Sequence, residues 1–80
     1  MTDAELRDKV NGIFQEVFDD DKLQIHDAMT AKDVEEWDSL NHINLIVAVE
    51  RALKIKFTTK EVSNLANVGE FLTVIRSKLG

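Results

Sequence analysis

Apolar residues in this chain recur at helical spacing in three separate runs, and nothing between the runs supplies a hairpin turn. The first run is Leu6, Val10, Ile13, Phe14, Val17 and Phe18. Its steps follow a period of about 3.6 residues, which predicts an amphipathic helix over residues ~3–18. Thr2 or Asp3 can cap its start, and the carboxylates of Asp3 and Glu5 suit the positive helix end. Asp19-Asp20-Asp21 place three anions at the negative end, where the helix should stop.

The second run opens at Asp38-Ser39-Leu40 and continues through Ile43, Ile46, Val47, Val49 and Leu53, with Leu45 and Ala48 widening the stripe. So broad an apolar surface predicts a central helix packed on more than one side. The alternation at Asn41-His42-Ile43-Asn44-Leu45 is too brief for a strand, and no Gly or Pro turn follows it. Thr58 with Glu61 forms a capping box that should start a short helix ending near Asn64. Asn67-Val68-Gly69-Glu70 repeats that pattern ahead of Phe71, Leu72, Ile75 and Leu79. The expected fold is all-α: a bundle of three longer helices and one short one.

Residues 19–37 have no regular period. Connections longer than ~12–15 residues are unusual in a compact domain and are commonly functional or disordered. Leu23, Ile25, Met29, Val34 and Trp37 are too many apolar anchors for a free tail. The segment reads as an ordered loop pinned across the bundle, with a turn at Thr30-Ala31-Lys32-Asp33. It leads directly into Asp38-Ser39.

Composition narrows the function. Eighty residues leave room for one domain, 1–80, with a modest core and little space for a deep catalytic pocket. The chain has no Cys, which removes disulfides, thiolate nucleophiles and thiolate metal sites together. A net charge of −5 has the wrong sign for a nucleic-acid binder. That charge is uneven, −8 over residues 1–38 and +3 over 39–80. No stretch approaches the ~18 apolar residues of a membrane span, and the N-terminal residues lack a signal peptide's pattern. The expectation is a soluble, cytoplasmic monomer with no nucleic-acid or membrane partner.

Asp38 falls where an N-cap is expected, able to accept the amide of Leu40 or Asn41. Ser39 is then the first helical residue, with its hydroxyl directed outward. A helix N-terminus presents unpaired N–H groups and about half a positive charge, which favours phosphate. Asp-Ser is also an ordinary cap. The long anchored loop ahead of it and the unusually apolar helix after it point beyond capping.

Other constellations carry less. Ser39 and His42 lie one turn apart, as a nucleophile and base would, but no G-x-S-x-G elbow surrounds them. His42 reads instead as a surface residue that partners or a phosphate could contact. Asp19-Asp20-Asp21 fails as a calcium loop, because Leu23 and Gln24 stand at its fifth and sixth positions. No metal site and no catalytic residue is expected. Trp37 reads as a core anchor for the loop and, compatibly, as a wall beside the serine.

Asp38-Ser39-Leu40, with the loop before it and Ile43, Leu45, Ile46, Val49 and Glu50 after it, resembles the signature of acyl carrier proteins and related phosphopantetheine carriers. Ile55-Lys56-Phe57, Thr58–Glu61 and Val68–Ile75 resemble the later helices of that family. The resemblance covers essentially the whole chain. It implies a four-helix carrier bundle in which Ser39 receives 4′-phosphopantetheine from coenzyme A. A phosphopantetheinyl transferase would attach it, and the arm's thiol would carry acyl groups as thioesters. This implies a non-catalytic carrier serving acyl-activating, condensing or acyl-transfer enzymes. Trp37, Asp38, Leu40, His42 and Ile43 would be the motif and recognition residues around Ser39. Acyl carriers of housekeeping fatty-acid synthesis have strongly acidic second helices, whereas this one has Glu50 alone, adjoining Arg51. W-D-S-L followed by Asn41-His42 is more similar to stand-alone carriers of specialised pathways. An aminoacyl or peptidyl carrier would use the same arm. A helical adaptor without a prosthetic group is the reading outside the family.

Overall fold

The computed structural model describes residues 2–63 and 65–79. Four helices follow one another: α1 (Asp3–Val17), α2 (Ser39–Leu53), α3 (Thr59–Ser63) and α4 (Val68–Leu79). Among the described residues there is no strand. The all-helical expectation holds, as does the division into three longer helices and one short.

Each helix starts where a polar side chain meets its free amides. Thr2 caps α1: its hydroxyl accepts from the Glu5 N–H while Glu5 accepts from the Thr2 N–H. Thr58 and Glu61 form the same reciprocal pair at α3, with N···O distances of 2.8 and 3.2 Å. Asn67 accepts the Glu70 amide at 2.9 Å ahead of α4. The expected end of α3 near Asn64 lies outside the described residues. α1 closes at Val17, one residue short of expectation, with Phe18 as its C-cap and Asp19 left-handed at φ 51°. α2 ends on Lys54, also left-handed at φ 57°.

The core is drawn from one face of each long helix: Leu6, Val10, Ile13 and Phe14 from α1, Leu45, Ile46, Val49 and Leu53 from α2, and Val68, Phe71, Leu72 and Ile75 from α4. Two expectations are corrected here. Leu79 was expected on the inner face of α4 but is 41% exposed at its last turn. α2 is not packed on more than one side: Leu40, Ile43 and Val47 face outward and are exposed. At about 100° per residue they lie opposite Leu45, Val49 and Leu53, and only that second side meets the rest of the bundle.

The segment between α1 and α2 is an ordered loop, as expected. Met29 and Val34 are buried, and Leu23, Ile25 and Trp37 pack partly against the core. Polar contacts complete the attachment. The Ile25 N–H donates to Asn11 Oδ1 at 2.8 Å, and Gln15 Nε2 donates to the Leu23 carbonyl at 2.9 Å. The first turn of a helix has amides without intrahelical partners. In α4, Val68 and Gly69 satisfy theirs on the loop carbonyls of Met29 and Asp27, each at 2.9 Å. Asp33 closes the expected turn by accepting from the Thr30 N–H at 2.9 Å. These contacts fix the path of the loop into α2.

Candidate functional site

At the end of that loop the backbone of Asp38 is extended, and its carboxylate accepts the Asn41 amide at 2.9 Å. Of the two amides expected as partners, it takes the second. Ser39 is the first residue of α2 and is exposed. Its position follows from the cap, because the residue after an N-cap starts the helix whether or not it packs against anything. The Asn41 side-chain amide donates to the Glu36 carbonyl at 2.7 Å, tying the first turn of α2 back to the loop.

Surroundings differ on the two sides of Ser39. Before it stand the exposed acids Asp33, Glu35, Glu36 and Asp38. After it run Leu40, 67% exposed, Ile43, 60%, and Val47, 39%, one turn apart along α2. Asn44 and Arg51 are exposed with them. The carboxylate of Glu50 leaves this face altogether and accepts the Phe57 N–H at 2.8 Å. An acidic loop thus gives way to an apolar stripe, with Ser39 at the border.

Trp37 holds the loop next to the serine. Its ring meets Phe14 edge-on at 5.4 Å between centroids and Phe18 at 5.9 Å. It also walls a surface hollow of about 390 Å³ with Thr30, Lys32, Leu65 and Asn67. Its indole Nε1–H donates to His42 Nδ1 at 3.1 Å. The expectation of a surface histidine is therefore corrected. His42 is half-buried, and its second ring nitrogen, Nε2, donates to the Val62 carbonyl of α3 at 3.2 Å. With both nitrogens engaged, His42 is no base for Ser39. Asn41 is likewise half-buried, whereas Asn44 is exposed.

α3 buries no residue and is held at its edges. Lys78 of α4 reaches Glu61 at 2.8 Å and lies over the Phe57 ring at 5.7 Å. The Lys78 hydrogen bond and the Thr58 amide hold the Glu61 carboxyl below the usual carboxylate range. Among the described residues no cluster of three or more His, Cys, Asp or Glu could hold a metal ion, and Asp19-Asp20-Asp21 forms none. Nor is any helix among them long and apolar enough to cross a membrane.

A scan of family models gives no match to the chain, and a search among curated proteins gives none either. Solved structures do. The solution structure of a holo acyl carrier protein from Geobacter metallireducens is 42% identical and superposes with a TM-score of 0.87. The match covers 92% of this chain and 85% of that one. Identity at that level over nearly the whole length carries more than a shared bundle of helices: the chain belongs to the acyl carrier protein family.

Proposed function

We propose that Ser39 is the attachment point of a 4′-phosphopantetheine arm and that residues 1–80 make up one carrier unit, working in the cytoplasm. The observation that supports this best is the exposed hydroxyl of Ser39 at the first position of a capped helix. The site fits the group. The Ser39 side chain is open to solvent, and the positive end of α2 offsets the charge of a phosphodiester. When bound, the arm supplies a thiol, which this cysteine-free chain lacks, for holding acyl groups as thioesters. The chain itself tethers and presents the cargo. Asp38 holds the first turn in shape, Trp37 fixes the approach, and Leu40, Ile43 and Val47 offer an apolar landing strip. Partners would be a phosphopantetheinyl transferase and acyl-activating, condensing or acyl-transfer enzymes, which hold the catalytic groups.

A specialised pathway is the finer reading, supported by the face of α2. A fatty-acid synthesis enzyme whose basic patch expects acids there would meet Leu40, Ile43, Asn44 and Arg51. Losing an ionic contact at a rim costs roughly 0.2–1 kcal/mol, so two or three losses approach a tenfold drop in affinity. Holo-protein should be a poor substrate for generic fatty-acid elongation enzymes, and Asn44→Glu with Arg51→Glu should improve it. Activity of the unsubstituted holo-protein equal to that of a housekeeping carrier would return it to fatty-acid synthesis.

A further inference from the structure

The hydrogen bond between Trp37 and His42 is no part of the cap on α2, yet together with the Val62 contact it engages both nitrogens of one imidazole. An indole N–H can only donate, and a backbone carbonyl can only accept. The contacts at 3.1 Å from Trp37 Nε1 to Nδ1 and at 3.2 Å from Nε2 to the Val62 carbonyl therefore specify one neutral form, with the proton on Nε2. The two contacts respond differently to a second proton. Nε2–H keeps its carbonyl. A proton on Nδ1 sets one donor against another, and the indole bond is lost. The ring cannot turn to find an acceptor without also giving up Val62.

We propose that His42 is a proton-responsive positioning residue, which in its neutral form latches Trp37, two residues ahead of Ser39, to α2 and releases it when charged. Histidine is the side chain whose charge ordinarily changes between about pH 5 and 8. On its own helix the group one turn away is Asp38, whose carboxylate is bound to the Asn41 amide. The loop brings Glu36, and α3 brings Lys60 and Glu61, the latter held by Lys78 of α4. Among the described residues none of these forms an ion pair or hydrogen bond with His42. The release is local, because the edge-on contact of Trp37 with Phe14 at 5.4 Å does not involve the imidazole. What loosens is the last part of the loop before Ser39, together with its link through His42 to α3. The approach to Ser39 is thus firm at neutral pH and slackened in acid, whether or not the serine carries an arm.

Nitrogen-15 NMR of the imidazoles and the single indole N–H, followed from pH 7.5 to pH 5 on the full chain, tests this. At neutral pH His42 should show the form protonated on Nε2. As its resonances titrate, the indole proton should shift in step, and its protection from exchange, corrected for the intrinsic rate, should fall roughly two- to tenfold, as expected for one lost hydrogen bond. His42→Asn, whose Oδ1 accepts at every pH, should keep the neutral-pH protection and abolish the step. His26→Gln, at the other histidine in an exposed loop position, should leave the step intact. A proton on Nδ1 at neutral pH, an indole that ignores the titration of His42, or the same step surviving in His42→Asn would each overturn the proposal. The first two need only the unsubstituted protein, so they decide even if the variant folds poorly.

Discussion

Removing the ring of Phe14 should do more damage than any other single truncation in α1, and the structure gives the size. Phe14 is fully buried, and its ring touches three others: Trp37 at 5.4 Å, Phe18 at 5.8 Å and Phe71 at 6.4 Å. It therefore joins α1, the long loop and α4. Truncating a buried Phe to Ala costs roughly 3–5 kcal/mol. At about 0.05–0.15 kcal/mol per residue, an 80-residue chain has only about 4–12 kcal/mol in total. Phe14→Ala should thus lower the melting temperature by at least about 12 °C, taking about 4 °C per kcal/mol. Phe14→Leu, which keeps most of the apolar volume, should cost under about 1.5 kcal/mol. Urea denaturation followed by circular dichroism would measure both, with the slope on denaturant unchanged. Because Trp37 loses its edge-on partner, indole emission should also shift to the red in Phe14→Ala. A cost below about 1 kcal/mol with the slope unchanged would refute the placement of this ring at the centre of the core.

Three further outcomes follow from named contacts. In Gly69→Ala the added methyl would sit 3.1 Å from the Asp27 carbonyl oxygen and 3.2 Å from Asp27 Cβ; although Ala favours helix by about 1 kcal/mol, the loop must move off α4, and a thermal melt should show no gain or a loss. Because Glu61 titrates below the usual carboxylate range, chiefly through Lys78, the stability of that link is complete at neutral pH and lost as the pH falls through the lowered value; Lys78→Met should move the carbon-13 titration of the Glu61 carboxyl upward, and an unmoved curve would contradict the assigned cause. Ile43→Asp, at a 60% exposed position, should leave the melting temperature within about 2–4 °C, as surface changes stay within ±0.5 kcal/mol, while slowing acyl loading of the holo-protein several-fold.

Much of this fold is legible in the chain, and the parts that are not have physical reasons. The capping box at Thr58 and the N-cap at Asp38 are local patterns, legible without knowing what packs where. The anchors Met29 and Val34 gave away an ordered loop, because isolated apolar residues in a polar stretch need somewhere to go. The outer stripe of α2 was harder. Leu40, Ile43 and Val47 differ in nothing but phase from the buried Leu45, Val49 and Leu53, and an apolar residue does not say which side has a neighbour. The angle around the helix separates the two stripes, but it does not tell that only one of them packs where packing on more than one side is expected. The place of His42 was not legible at all. Its partners are an indole five residues back and a carbonyl twenty residues on, and a backbone carbonyl leaves no mark in a side-chain pattern.

The central claim is that a carrier arm is attached at Ser39, and intact-mass spectrometry tests it most directly. Protein incubated with coenzyme A, Mg²⁺ and a broad-specificity phosphopantetheinyl transferase should gain the mass of one phosphopantetheine. Peptide mapping should place the gain on the peptide containing Ser39 and leave those with Ser63 and Ser77 unchanged. Ser39→Ala should melt with the parent protein, because the residue is exposed, and should gain nothing. Addition to the Ser39→Ala variant, or no addition to the parent protein, would contradict the account.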